Sequence, residues 1–172
     1  MDIKTALLEE HSKDQIMKIV KFVEENDSRL AELMDIFFNG NFLEGQRAAW
    51  AVMHYASRNK NSMLPYVAQM LKNLEKPKLH DAVIRTTVRV WSETDLPENF
   101  LGEIFELCFN YLNNPKEKVA VRVFSMSVLF NIVKKEPELA EELRLVIEDH
   151  LPHGTAGFKS RGKRILKSLA KM

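Results

Sequence analysis

At 172 residues, with 45% hydrophobic and 28% charged residues, the chain is long enough for a packed core and lies far from disordered composition. A formal net charge of +1 excludes an argument for a polyanionic partner from overall charge, so any such argument rests on how the charges are distributed. The single cysteine, Cys108, excludes an intrachain disulfide and a thiolate metal cage.

In chain order, the opening MDIKTALLEEHSKD lacks the charged-then-apolar pattern of a signal peptide. No apolar run approaches the roughly 20 residues a membrane span requires. A soluble, cytoplasmic protein without a membrane partner is therefore expected. Helix punctuation then recurs. Ser12 with Gln15, Asp95 with Glu98 and Asn114 with Glu117 fit the capping-box pattern. Pro97 and Pro115 fall just inside two of those starts, while Gly40, Gly45 and Gly154 are expected as turns or C-caps.

Between these marks the hydrophobic period is helical. Ile16, Ile19, Val20 and Val23 share a face, as do Val67, Met70, Leu71 and Leu74, and Ile104, Leu107, Cys108 and Tyr111. Cys108, set among apolar neighbours in EIFELCFNYL, reads as a buried, inert thiol. No strand alternation is sustained. The pattern predicts an all-α chain with helices near 4–26, 28–40, 45–59, 62–76, 77–93, 97–113, 115–135, 137–149 and 155–171, the first either continuous or broken near His11.

An acidic or neutral helix is repeatedly followed by one that carries an arginine near its start. These arginines are Arg47, Arg85, Arg122 and Arg164, spaced 38, 37 and 42 residues apart. A period near 40 built from two helices is the signature of an α-solenoid, in which each pair leaves an apolar face for its neighbour to bury. The segments NPKEKVAVRVFSMSVLF and PKLHDAVIRTTVRVW resemble second helices of HEAT repeats, which run Pro or Asp, then Val-Arg, then small and apolar positions. The third unit matches best, with Pro115, Val121 and Arg122; the first has Gln46-Arg47 without a proline, and the fourth has Lys163-Arg164 with Gly162 nearby. The resemblance covers about residues 28–172. It implies one domain over 1–172, a right-handed α-α superhelix of about four helix pairs near 27–60, 61–94, 95–136 and 137–172, capped by an N-terminal helical segment at 1–26. Second helices would line a concave face. No activity is implied.

Charge is segregated between the two helix classes. The first helices of the four pairs carry four basic residues against thirteen acidic ones, and the second helices seventeen against three. Arg47, His54 and Arg58 share one helix face, as do Arg85 and Arg89, and Lys118 and Arg122. The last helix surrounds an apolar stripe with basic residues that include Arg161 and Arg164. With Trp50, these ten residues form the candidate groove: an acidic protein segment or nucleic acid is the expected partner, and the arginines could instead pair between repeats. Trp50, Trp91, Tyr55 and Phe124 could stack on bases, although packing between helices is the commoner fate of such rings.

Catalytic signatures are lacking. His150 and His153 flank Pro152 without an obvious third metal ligand, His54 and His80 have no nucleophile partner, and no phosphate-cradling glycine loop or H-E-x-x-H occurs. No cofactor and no metal are expected, and a non-catalytic binding module leads. The alternative is an enzyme similar to the HEAT-like DNA-alkylation-repair glycosylases, which use a basic concave groove; Asp81 and Glu117 would be its candidate acids. The same charge segregation could also serve self-association, so the oligomeric state is open.

Overall fold

A short polar side chain at the residue before a helix can accept one of the backbone N–H groups that the first turn leaves unpaired. In the computed structural model, which describes residues 1–172, Asp2, Ser12, Asn26, Asn41 and Thr155 all do so. The elements are α1 (Ile3–Glu9), α2 (Lys13–Glu24), α3 (Asp27–Asn39), α4 (Phe42–Arg58), α5 (Val67–Asn73), α6 (Asp81–Ser92), α7 (Leu101–Asn113), α8 (Val119–Val133), α9 (Ala140–His150) and α10 (Ala156–Leu169). Short 3-10 turns precede α5, α7 and α9 and follow α9; there is no strand.

Capping differs from the expectation in detail. Ser12 accepts from Gln15 N–H at 3.1 Å, but the Gln15 side chain turns away to donate to the Ala6 carbonyl at 3.0 Å, tying α2 to α1. Asp95 caps nothing near Glu98, where the 3-10 turn has no side-chain cap, and instead meets Lys135 Nζ at 2.6 Å. Asn114 and Glu117 accept from Lys116 and Lys118 N–H inside the turn before α8, which starts later than expected, at Val119. The reciprocal box is at Asn41 and Glu44: Asn41 Oδ1 accepts from Leu43 and Glu44 N–H at 3.0 Å, and Glu44 Oε2 accepts from Asn41 N–H at 3.0 Å. Glu44 also reaches Lys4 of α1 at 3.0 Å, and these bonds hold its carboxyl below the usual carboxylate range. Gly45 is thus neither a turn nor a C-cap but part of the first turn of α4. Asn41→Ala should lower stability by about 1 kcal/mol, read in urea as a lower midpoint at unchanged slope. An unchanged midpoint would remove the box as what starts α4.

Pro65 explains the late start of α5. Proline lacks an N–H and its ring crowds the carbonyl four residues back. Lys60–Tyr66 accordingly form a 3-10 helix, and α5 begins only at Val67 rather than near 62.

Two compact units divide the chain, residues 1–90 and 91–172. In the first, α1 to α4 pack together around Ile3, Leu7, Ile16, Ile19, Leu33, Phe37 and Val52, all buried. The α6 helix joins α4 through Thr86 Oγ1, which donates to the Ala49 carbonyl at 3.2 Å. In the second, α8 touches α7, α9 and α10 and buries Val121, Met126, Val128, Leu129, Ile132 and Val133. A helix enclosed on several sides is apolar around most of its circumference, which is why α8 lacks a polar face. Gly162 lets α10 lie close to α9 and the turn after it: a Cβ there would be 2.8 Å from Leu151 Cδ1 and 3.2 Å from Ile147 Cγ2, so those side chains would have to shift. Cys108 is enclosed in α7, and burial pushes its thiol up to about 12, so it stays protonated and unreactive.

The period of the sequence reappears in the bonds that cross between helices. Within the first unit, hydrogen bonds join Asn59 to Glu24, Lys76 to Phe38, Thr86 to Ala49 and Arg89 to Met53. Within the second they join Asn131 to Ser92, Lys135 to Asp95, His150 to Asn113 and Arg161 to Ser127. Every one of these pairs is 34 to 40 residues apart, one repeat length. A residue therefore bonds to the neighbourhood of its counterpart in the adjoining helix pair, as stacked repeats require.

Candidate functional site

The ten candidate residues do not share one fate. In the first unit α4 and α6 form the walls of a cleft of about 440 Å³ lined by His11, Gln46, Trp50, Met53, His80, Asp81, Ala82, Arg85 and Thr86. Gln46, Trp50 and Met53 stand at steps of four and three on α4, and Ala82, Arg85 and Thr86 at steps of three and one on α6, so each helix turns one face to the opening. The Trp50 ring is half-buried, with the His11 ring centroid at 4.9 Å and that of His54 at 6.2 Å. Arg85 is exposed, and its guanidinium enters no salt bridge.

Around this cleft the other candidates are held in place. Arg89 Nη1 lies 3.1 Å from Met53 Sδ, bracing one wall against the other. His54 is partly desolvated and faces Lys13 and Arg89; burial first, then those cations, hold its pKa below the ordinary histidine value. Arg47 is half-buried, with Nη1 enclosed and unpaired. Arg58 is exposed, and its Nε pairs with Glu24 Oε1 of α2 at 3.0 Å. The His80 Nδ1 lies 2.9 Å from Ala82 N–H, which donates to it at the start of α6.

In the second unit Arg122 is inside the protein, only 8% exposed. Its Nε donates to the Leu112 carbonyl of α7 at 3.0 Å, and its guanidinium carbon sits 4.5 Å from the Phe158 ring centroid of α10. Burial holds its pKa below the usual arginine value. It joins helices rather than facing a ligand, so it drops out of the candidate surface. Lys118 is exposed at the residue before α8. Arg161 donates to Ser127 Oγ, and Arg164 is exposed beside it on α10. These two arginines line a second cleft, of about 300 Å³, between α8 and α10.

The tryptophans separate as well: Trp91 is fully buried, and only Trp50 is at a surface. Of the two candidate acids, Asp81 lines the α4/α6 cleft, whereas Glu117 lies in the other unit with Oε1 on Lys118 N–H. His150 Nε2 is bonded to Asn113 Oδ1 at 3.0 Å, and no three His, Cys, Asp or Glu side chains gather as a metal site.

Residue patterns alone did not single out His11, Gln46, Met53, Ser127 or Asn131 as site residues. The only signal for His11 was the helix break at which it stands, and the others are ordinary polar or apolar positions that nothing in the local sequence marks. No helix is long and apolar enough to cross a membrane. No curated protein and no solved structure matches the chain. A family model described as the HEAT repeat domain matches residues 3–169, nearly the whole chain and further towards the N-terminus than the arginine pattern reaches. With the arginine period, the repeat-length hydrogen bonds and this match in agreement, the chain belongs to the HEAT repeat domain family.

Proposed function

We propose that the chain is a non-catalytic binding module in which second helices present basic faces to an acidic protein segment, with the α4/α6 cleft as the principal seat. The same proposal includes four repeats near 27–60, 61–94, 95–136 and 137–172, with 1–26 as a cap. The observation that carries the binding reading is the pairing of a half-exposed Trp50 with the unbridged Arg85 in one cleft. An aromatic platform beside a forked cation suits a carboxylate next to an apolar side chain. Duplex DNA is the weaker fit. Proteins that depend on duplex backbone contacts commonly neutralise about 6–10 phosphates, and Arg58 and Arg122 already have internal partners here.

A labelled glutamate-rich peptide containing one leucine should bind at low salt, with anisotropy as the readout. Arg85→Glu and Trp50→Ala should each weaken it by roughly tenfold or more, the scale of one lost charged hydrogen bond or one lost anchor ring. Unchanged affinity in either folded variant overturns the cleft as the seat. Asp81 beside Trp50 keeps the glycosylase reading testable at the same place. Release of a modified base from alkylated duplex DNA, lost in Asp81→Asn, would replace the binding-module reading.

A further inference from the structure

The second cleft gathers cations that have no carboxylate among them. Arg161, Arg164 and Ser168 lie on one face of α10 at steps of three and four, opposite Ser127, Phe130 and Asn131 of α8. Ser92 and Ile165 complete the lining, so no acidic side chain lines the cleft. One turn beyond Asn131, Lys134 carries its Nζ 5.3 Å from the Phe130 ring centroid. Two other cations of this unit do have acidic partners: Arg144 bridges Glu141 and Glu148, and Lys135 reaches Asp95. Neither Arg161 nor Arg164 enters a salt bridge.

The arrangement is held in place. Ser127 Oγ accepts from Arg161 Nη1 and donates its own proton to the Val123 carbonyl at 3.3 Å, so one nitrogen of the Arg161 fork is anchored and the fork is aimed. Asn131 Nδ2 donates to the Ser92 carbonyl at 2.9 Å, which fixes the floor. Burial first, and then the neighbouring Arg164, hold the Arg161 pKa below its ordinary value, as expected for a partly buried guanidinium with a second cation on the same helix face.

We propose that the α8/α10 cleft is a phosphate-monoester subsite that takes a phosphorylated serine or threonine of a partner segment. A monoester carries about −1.5 to −2 charges at pH 7 and three acceptor oxygens. Two arginines with Lys134 nearby offer more donors and more charge than one carboxylate can use. A backbone phosphodiester, with a single charge and two free oxygens, also leaves donors unmatched. The cleft is roomier than one oxoanion needs, and Phe130 and Ile165 offer an apolar wall for the residue beside the phosphate. This site lies in the other unit from the α4/α6 cleft and stands or falls independently of it.

The test uses the whole chain and a fluorescein-labelled, otherwise neutral heptapeptide with one phosphoserine, compared with its serine and glutamate versions. The phosphopeptide should bind at least roughly tenfold tighter than either, and Arg164→Ala should remove roughly tenfold of that affinity, the loss of one charge-assisted contact. Arg85→Glu should leave phosphopeptide binding unchanged while it weakens the glutamate-rich peptide, so failure of one site is told from failure of the other. Arg164 is exposed, so Arg164→Ala should fold; circular dichroism checks that, and Lys134→Ala supplies a second exposed variant. Equal binding of the serine peptide, or full affinity in folded Arg164→Ala, overturns the site. Binding of inorganic phosphate as tight as the peptide overturns the segment as ligand, and equally tight binding of single-stranded DNA overturns the monoester.

Discussion

Arg122→Glu should destabilise the protein by about 3–5 kcal/mol, the scale for an uncompensated charge left in the interior. In the fold Arg122 Nε donates to the Leu112 carbonyl and the guanidinium lies over the Phe158 ring. A glutamate at that position would turn an oxygen towards a carbonyl oxygen and towards the negative face of the ring. Typical domains have only about 5–15 kcal/mol in reserve, so much of the second unit's stability would go. Arg122→Met keeps the volume and the apolar stem and removes the charge together with its desolvation, so a loss near 1 kcal/mol is expected. Urea denaturation of both variants is the measurement. A folded Arg122→Glu with the parent midpoint would mean that Arg122 faces solvent, and would restore it to the binding surface.

The second large effect is expected at Trp91. Trp91→Ala should cost about 3–5 kcal/mol, as for other large side chains removed from a packed core, because the ring is fully buried. The Trp50→Ala variant should leave the midpoint nearly unchanged, its ring being only half-buried, while weakening the acidic peptide as stated above. Thermal or urea unfolding of the two variants side by side separates a structural tryptophan from a binding one. A similar midpoint loss in both would make Trp50 part of the core and take away the platform of the α4/α6 cleft.

Much of the helical architecture was legible in the chain because its cause is local. Apolar positions at steps of three and four need only their own helix to be recognised, and Ile16, Ile19, Val20 and Val23 are all buried as the period requires. The break near His11 was legible too, with α1 ending at Glu9 and α2 starting at Lys13. Boundaries were less so. A serine or asparagine three residues before a glutamate fits a capping box on paper, yet Asn114 and Glu117 close a turn instead, and the box at Asn41 was hidden behind Gly45. Such pairs are chosen between cap and turn by where the chain must go next, which is a tertiary matter.

The arginines show where sequence reading stops. Arg85 and Arg122 stand in nearly the same local words, Val-Ile-Arg and Val-Arg, early in their helices. One ends exposed at a cleft and the other against a carbonyl and a ring, because α10 brings Phe158 over Arg122. Arg161, 39 residues after Arg122 and early in α10, fits the repeat better than Arg164, although its fork is already tied to Ser127.

The chain by itself determined that it folds as paired helices with a period near 40, since hydrophobic spacing and terminal caps act within a few residues. It also determined that charge is divided between first and second helices. Only the tertiary structure decided which cations meet ligand-sized space and which are enclosed. That choice depends on side chains brought together from 34 to 40 residues away, and contacts at that distance exist only once neighbouring helix pairs have stacked.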